Sequence, residues 1–434
     1  MTMLRKLLHA TLPWLAATAA WLPSAQAAEP VFILGVTTHL MNVEQPLQAP
    51  LKRAAEAGFT SLRDDILWSA AAPGPHRLHV PPQWRRYLSQ AETLKLSRMG
   101  ILGYSTWFHE NAKPRTPMVT SQYLKYVDYT SQQLGNRINF YEIWNEWDME
   151  APRDRQLARD YAALIKHTAP VLRRNTRAAP GTPAKILAGA VTTAGMKSGF
   201  VDPLIDSGAL DLVDGLSLHP YVHCEANDQN TPEAWRRWMS DYEQHVRTRA
   251  GRDVPLYLTE MGWPSHQGAC GKSEVTQALY MARVWFLART IPNVKGLWWY
   301  DLYNDGPDRF DQEHNFGVFN EDLSSKPAHT LMKAIAPVIS QYTYDAQAST
   351  LSDTTYQLHF SKGQERLLVA WAIGKPREVQ VTRQGTINGP VHWLDTVQAE
   401  RGQVASEQNW QCDQARCTAT VPLTRFPKII RLAP

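Results

Sequence analysis

The chain has almost no charge imbalance. Its 45 Lys and Arg nearly cancel 41 Asp and Glu, leaving +4 over 434 residues. No basic run appears along it. Such a surface offers little to a phosphate backbone, so nucleic acid is not an expected partner. Long apolar runs are missing after the N-terminal segment, so no later stretch is long enough to cross a bilayer as a helix. No Gly-x-Gly-x-x-Gly turn follows the first strand-like segment, which removes the main sign of a dinucleotide site. A Ser/Thr/Pro-rich linker to a separate binding module is also absent. Cysteine is scarce, at four residues.

The apolar run at the start reads as an export signal over residues 1–27. Arg5 and Lys6 give a positive region, Leu7 to Leu22 an apolar region broken by Pro13, and Ala25-Gln26-Ala27 a small-x-small cleavage site before Ala28. No Cys follows that site, which argues against a lipoprotein. The rival reading is an uncleaved anchor. The expectation is an exported protein with no stable membrane anchor after signal cleavage, periplasmic in preference to secreted. Four Cys in an exported chain suggest disulfides. Cys412 and Cys417 enclose four residues, a local staple; Cys224 and Cys270 are then left to tie two post-strand loops. A zinc site from His219, His223, Cys224 and His266 is the alternative, but the spacing fits no zinc pattern. No cofactor or metal is expected.

Aromatics are abundant, with 16 Trp and 16 Tyr. Indole rings pack cores, and they also stack on sugar faces. From Val31 to about residue 340, strand-like and helix-like segments alternate eight times, with Gly stops and Pro starts as punctuation. Strands are read at Val31–Thr38, Ser61–Trp68, Ile101–Trp107, Asn139–Trp144, Lys185–Val191, Asp214–Leu218, Pro255–Thr259 and Val294–Tyr300. This pattern predicts an α/β fold, a (β/α)8 TIM barrel over 28–340; an open doubly wound sheet is the runner-up. From about Thr343, short alternating segments at Tyr356–Phe360, Arg366–Trp371, Glu378–Thr382 and Lys428–Leu432, with turns such as Asn388-Gly389, predict a small C-terminal antiparallel β-domain over 341–434, sandwich-like. Val31 is a candidate to pair with it.

Barrel chemistry lies at the C-terminal ends of the strands. Glu146, in Ile143-Trp144-Asn145-Glu146-Trp147, and Glu260, in Leu258-Thr259-Glu260-Met261-Gly262-Trp263, fall there on units four and seven. Two carboxylates framed by aromatic rings are what cleavage of a glycosidic bond requires. Either one alone reads better as a solvated strand cap; the pair in the same context reads as chemistry. Arg63 ends unit two, where a fixed positive charge keeps a carboxylate ionised. Asn145 is placed to bond the sugar hydroxyl beside the reacting carbon. His219-Pro220-Tyr221 ends unit six and Trp298-Trp299-Tyr300-Asp301 unit eight. His39, Trp107 and His109 end units one and three and are candidate cleft residues.

Asn145-Glu146, Glu260, Arg63, His219-Pro220-Tyr221 and Trp298/Trp299 together resemble clan A of the retaining glycoside hydrolases. The Thr-Glu-Met-Gly-Trp strand and the trailing β-domain make the chain most similar to glycoside hydrolase family 39, especially its exported bacterial enzymes that cut exopolysaccharides. The Asn-Glu-Pro of many clan members reads Asn145-Glu146-Trp147 here. The resemblance implies Glu146 as general acid/base and Glu260 as nucleophile, acting on a polysaccharide or oligosaccharide. It makes an exopolysaccharide synthesis or export complex a candidate partner. A non-catalytic carbohydrate-binding protein of the envelope, and an exo-glycosidase such as a β-xylosidase on the same site, stay open as alternatives.

Overall fold

The computed structural model describes residues 32–384, 393–395, 404–405, 410–413 and 416–433. The signal segment 1–27 and the Asn388-Gly389 turn lie outside them. Eight parallel strands close into a barrel: β1 Ile33–Thr37, β2 Ser61–Leu67, β3 Ser97–Gly103, β4 Phe140–Ile143, β5 Lys185–Thr192, β6 Gly215–His219, β7 Leu256–Met261 and β8 Val294–Trp299. The seam closes where Gly35 and Val36 pair with Trp298 and Trp299. Helices cover the outside, and their starts are chemically marked. Thr116, Asp154, Thr231 and Ser273 each accept a backbone N–H at the start of helices Pro117–Leu134, Arg155–Ala178, Pro232–Ala250 and Glu274–Ala288.

A layer of Met99, Phe140, Leu187, Tyr257 and Trp298 plugs the barrel interior. Trp298 fits only because Gly35 has no side chain: a Cβ there would meet the indole at 2.1 Å. Two expectations are corrected. The third strand, read at Ile101–Trp107, runs over Ser97–Gly103, after a helix that ends at Thr93. Apolar Leu94, Leu96 and Met99 keep a misleading spacing, while Lys95 turns the backbone left-handed (φ 58°) and stops the helix. The strand after Val31 pairs with β2 and β8, so it belongs to the barrel and not to the C-terminal sheet.

After the last barrel helix, Pro327–Gln341, the chain turns antiparallel. A six-stranded sheet includes Thr343–Leu351, Thr355–Lys362, Glu365–Ala372 and Lys428–Ala433; a three-stranded sheet includes Arg377–Gln384 and Arg416–Leu423. The first sheet is a middle layer. Leu367, Val369 and Trp371 join the barrel's core, while Leu368, Ala370 and Ala372 pack with Val379, Val381 and Val421 of the second sheet. Burial on both faces explains why Leu367–Ala372 is an unbroken apolar run and not the alternating segment read from the sequence. The Arg283 guanidinium crosses the seam, bonding the Arg425 carbonyl at 2.9 Å and Glu233 at 3.1 Å. Residues 31–434 form one compact unit by contact. No helix among the described residues is long and apolar enough to cross a membrane.

Candidate active site

Arg63 is the fixed point of the barrel mouth. It rises from β2 and is fully buried. Its Nε donates to Glu142 Oε2 at 2.8 Å, its Nη1 to Glu260 Oε1 at 2.7 Å and its Nη2 to Asn145 Oδ1 at 2.7 Å. One guanidinium therefore holds β2, the end of β4 and β7 in register. A planar five-donor fork can do this; a lysine cannot.

Glu146 sits on the turn after β4. Trp144 and Glu146 both take left-handed backbone, at φ 66° and 46°. Residues with side chains rarely adopt it, so the surroundings must impose it. Trp147 does so. Its buried ring stacks on Tyr161 at 5.3 Å and its Nε1 donates to the Leu157 carbonyl at 3.1 Å. The Glu146 N–H is held by the Ala190 carbonyl of β5 at 3.2 Å.

His219, buried at the end of β6, lies between the two glutamates. Its Nδ1 is 2.8 Å from Glu146 Oε1 and 3.4 Å from Glu260 Oε2. Tyr221 donates its hydroxyl to Glu260 Oε2 at 3.2 Å. Both Glu260 oxygens are thus bonded. Oxygens of Glu146 and Glu260 lie within 4.8 Å of each other.

These contacts set the charges. Burial alone would raise the Glu260 pKa, but the charges of His219 and Arg63 outweigh it and hold the carboxyl below its ordinary value. Burial would lower His219; the Glu260 charge and the Glu146 hydrogen bond overcome that and raise it. Burial and then the Glu260 charge push the Tyr221 phenol up, so it stays a donor.

The other residues read from the sequence divide. His39 is exposed on the rim, edge-on to Tyr300 at 5.9 Å. Trp107 stands 68% exposed beyond β3. His109 packs on buried Trp68 at 5.2 Å. Trp298 and Trp299 are corrections: both are 0% exposed and present nothing to the cleft. Trp298 points into the barrel plug and donates to Ser61 Oγ at 3.2 Å, while Trp299 points outward and donates to the Phe316 carbonyl at 3.3 Å. The half-buried strand-eight aromatic at the mouth is Tyr300, whose ring meets Tyr221 at 6.4 Å.

Glu142 was missed, although a carboxylate inside an apolar strand was its signal: inside a barrel it needs a cation, and Arg63 is there. Tyr104 was missed too. It is 40% exposed, and burial and then the charges of Asp65 and Glu260 push its phenol up.

Both expected disulfides are present, Cys224–Cys270 between the loops after β6 and β7, and Cys412–Cys417. With Cys224 oxidised, no thiolate serves a zinc site there. Two side-chain groups among the described residues bring possible metal ligands together: Glu146–His219–Glu260 and His39–Asp301–Asp305. In the first, the Arg63 charge already sits 2.7 Å from Glu260, where a metal ion would be repelled. A cavity of about 690 Å³ opens beside Tyr221, lined by Arg153, Thr193, Lys197 and His223 among others.

A family 39 glycoside hydrolase from Bacteroides cellulosilyticus superposes on this barrel and its β-module with a TM-score of 0.74, at 22% identity over 93% of this chain and 81% of that one. The chain has the fold of a family 39 glycoside hydrolase. A glucosidase from Croceicoccus marinus matches at 0.60, with 12% identity over 94% and 97% of the two chains. An endo-β-1,4-mannanase from Thermotoga petrophila matches at 0.53, with 13% identity over 91% and 92%. No sequence-family model matches the chain, and no curated protein does. The likeness is one of fold, a closed barrel followed by an antiparallel β-module.

Proposed function

We propose that this chain is a retaining glycoside hydrolase that cuts a polysaccharide internally, with Glu260 as nucleophile and Glu146 as acid/base. The observation that carries this is a carboxylate held ionised by Arg63 and Tyr221, with a second carboxyl oxygen within 4.8 Å. Retaining enzymes hold the pair roughly 5–5.5 Å apart, whereas inverting ones leave room for water at roughly 6.5–9.5 Å.

In the first step Glu260 attacks the anomeric carbon as Glu146 gives its proton to the departing oxygen. The covalent ester removes the negative charge from Glu260. Glu146, now a carboxylate, takes a proton from water, which attacks the same carbon and restores Glu260. His219 contacts both carboxyls throughout and keeps their geometry as the charge moves between them. Asn145, its amide oxygen taken by Arg63, keeps its amide N–H for the hydroxyl beside the reacting carbon.

Internal cleavage is favoured because Tyr221, which bonds Glu260, also lines the cavity described above, and exposed Trp107 offers a further sugar platform. The export signal favours a periplasmic enzyme acting on a polysaccharide made by the same cell, within reach of its synthesis or export complex. The test is purified protein against aryl glycosides and bacterial exopolysaccharides, with NMR of the first sugar released. A product of inverted configuration would overturn the mechanism. Release of monosaccharide alone would overturn internal cleavage, and recovery mainly from culture medium would overturn the periplasm.

A further inference from the structure

Beside the nucleophile, the cleft wall carries carboxylates with no partner. Asp301, just past β8, is only 2% exposed, and its Oδ1 is buried with no hydrogen-bond partner among the described residues. One of its side-chain oxygens, one of Asp305 and a His39 ring nitrogen all lie within 4.8 Å of one another. Asp65 Oδ1 is likewise buried with no hydrogen-bond partner among the described residues, and the His39 charge acts on it.

The wall is built, not floppy. Asp64 Oδ2 accepts from Thr38 Oγ1 at 2.6 Å and from the Leu40 and Met41 N–H groups at 2.7 and 2.9 Å, which fixes the loop that presents His39. The nearby cation Lys326 is engaged elsewhere, donating to Ser265 Oγ at 2.8 Å and Asn304 Oδ1 at 3.3 Å. Arg63 is already shared between Glu142 and Glu260. The nucleophile is adjacent, since the His39 charge acts on Glu260, Asp65 and Asp305 alike.

Resting on the glycosidase reading, we propose that this wall selects a cationic sugar, a hexosamine unit with a free amine, at the subsite beside Glu260. A hydroxyl can donate to one of these oxygens, but it brings no charge to the carboxyls of Asp301 and Asp305. An ammonium donates three hydrogen bonds and supplies that charge. His39, Asp301 and Asp305 could also hold a metal ion, and the experiment below separates the two occupants.

The experiment uses the full-length protein and nine sugars at neutral pH, because burial raises the carboxyls of Asp65, Asp301 and Asp305 and acid would neutralise them. These are D-glucosamine, D-galactosamine and D-mannosamine, their N-acetyl forms and the neutral parent hexoses. Binding is read by saturation-transfer NMR and thermal shift. At least one free amine should bind about tenfold or more tightly than both its N-acetyl form and its parent, because charged hydrogen bonds are worth more than one decade of affinity. Asp301→Asn with Asp305→Asn should remove that preference, and acetylation alone should mimic the loss. Equal binding of amine and parent, or a preference surviving in the double variant, overturns the proposal. Protection by Ca²⁺ or Mn²⁺ that the double variant loses, with no amine effect, also overturns it. Aryl glycoside assays separate the levels. If neutral aryl glycosides are cleaved by the native protein and not by Glu260→Gln, without amine preference, only this proposal falls. If no glycoside is cleaved or bound, the glycosidase reading falls with it.

Discussion

Removing Arg63 should have two separable effects. In Arg63→Met, Glu142 loses its one salt-bridge partner among the described residues. That carboxylate is fully buried, and its Oε1 already lacks a partner. Stranding a buried charge costs about 3–5 kcal/mol, as when one partner of a buried ion pair is deleted. Removing both partners differs, since replacing a buried pair with apolar groups of similar size is often close to neutral. Arg63→Met with Glu142→Leu should therefore recover most of the stability. It should not recover activity, because Glu260 still lacks its guanidinium.

The sign for Glu260 follows from its depressed pKa. That depression contributes stability above the carboxyl's unfolded value and loses it as pH falls through the folded value. Without Arg63 the folded value rises, so the acid limb of kcat/KM should move to higher pH, with about 1.4 kcal/mol for each unit moved. Urea denaturation measures the first effect and a pH–rate profile the second. The reasoning is refuted if the single variant loses under about 1 kcal/mol, a typical hydrogen bond's worth. It is equally refuted if the double variant regains native activity.

Glu146→Gln and Glu260→Gln should each cut turnover by several orders of magnitude while circular dichroism stays native; near-normal activity on the true glycan would remove the assigned role. Cys224→Ser with Cys270→Ser should raise KM more than it lowers Tm, because the disulfide joins two cleft loops outside the barrel core; a large loss of Tm at unchanged KM would reverse that assignment. Trp298→Ala should cost about 3–5 kcal/mol in denaturation, as an emptied barrel plug. Trp107→Ala should change stability by under about 0.5 kcal/mol, as exposed substitutions do, and raise KM on long glycans; a stability loss like that of Trp298→Ala would show that it is core.

The sequence by itself determined the barrel and put Glu146 and Glu260, the proposed catalytic pair, at strand ends. Eight strand–helix alternations with Gly stops and Pro starts are a one-dimensional pattern, and barrel chemistry sits where each strand ends. Arg63, Asn145, Glu146, His219, Tyr221 and Glu260 could thus be read from position alone. The Cys pairs were legible because Cys412 and Cys417 lie five positions apart, which leaves Cys224 for Cys270. Tertiary structure decided what depends on side-chain direction. Trp298, Trp299 and Tyr300 are consecutive, yet one fills the barrel, one faces the helices and one reaches the mouth, because direction alternates along a strand and closure fixes its phase. The partnership of Glu142 with Arg63 was hidden because it spans 79 positions. The unpartnered wall of Asp65, Asp301 and Asp305 exists only because β8 closes against β1 and carries its loop to the one that holds His39.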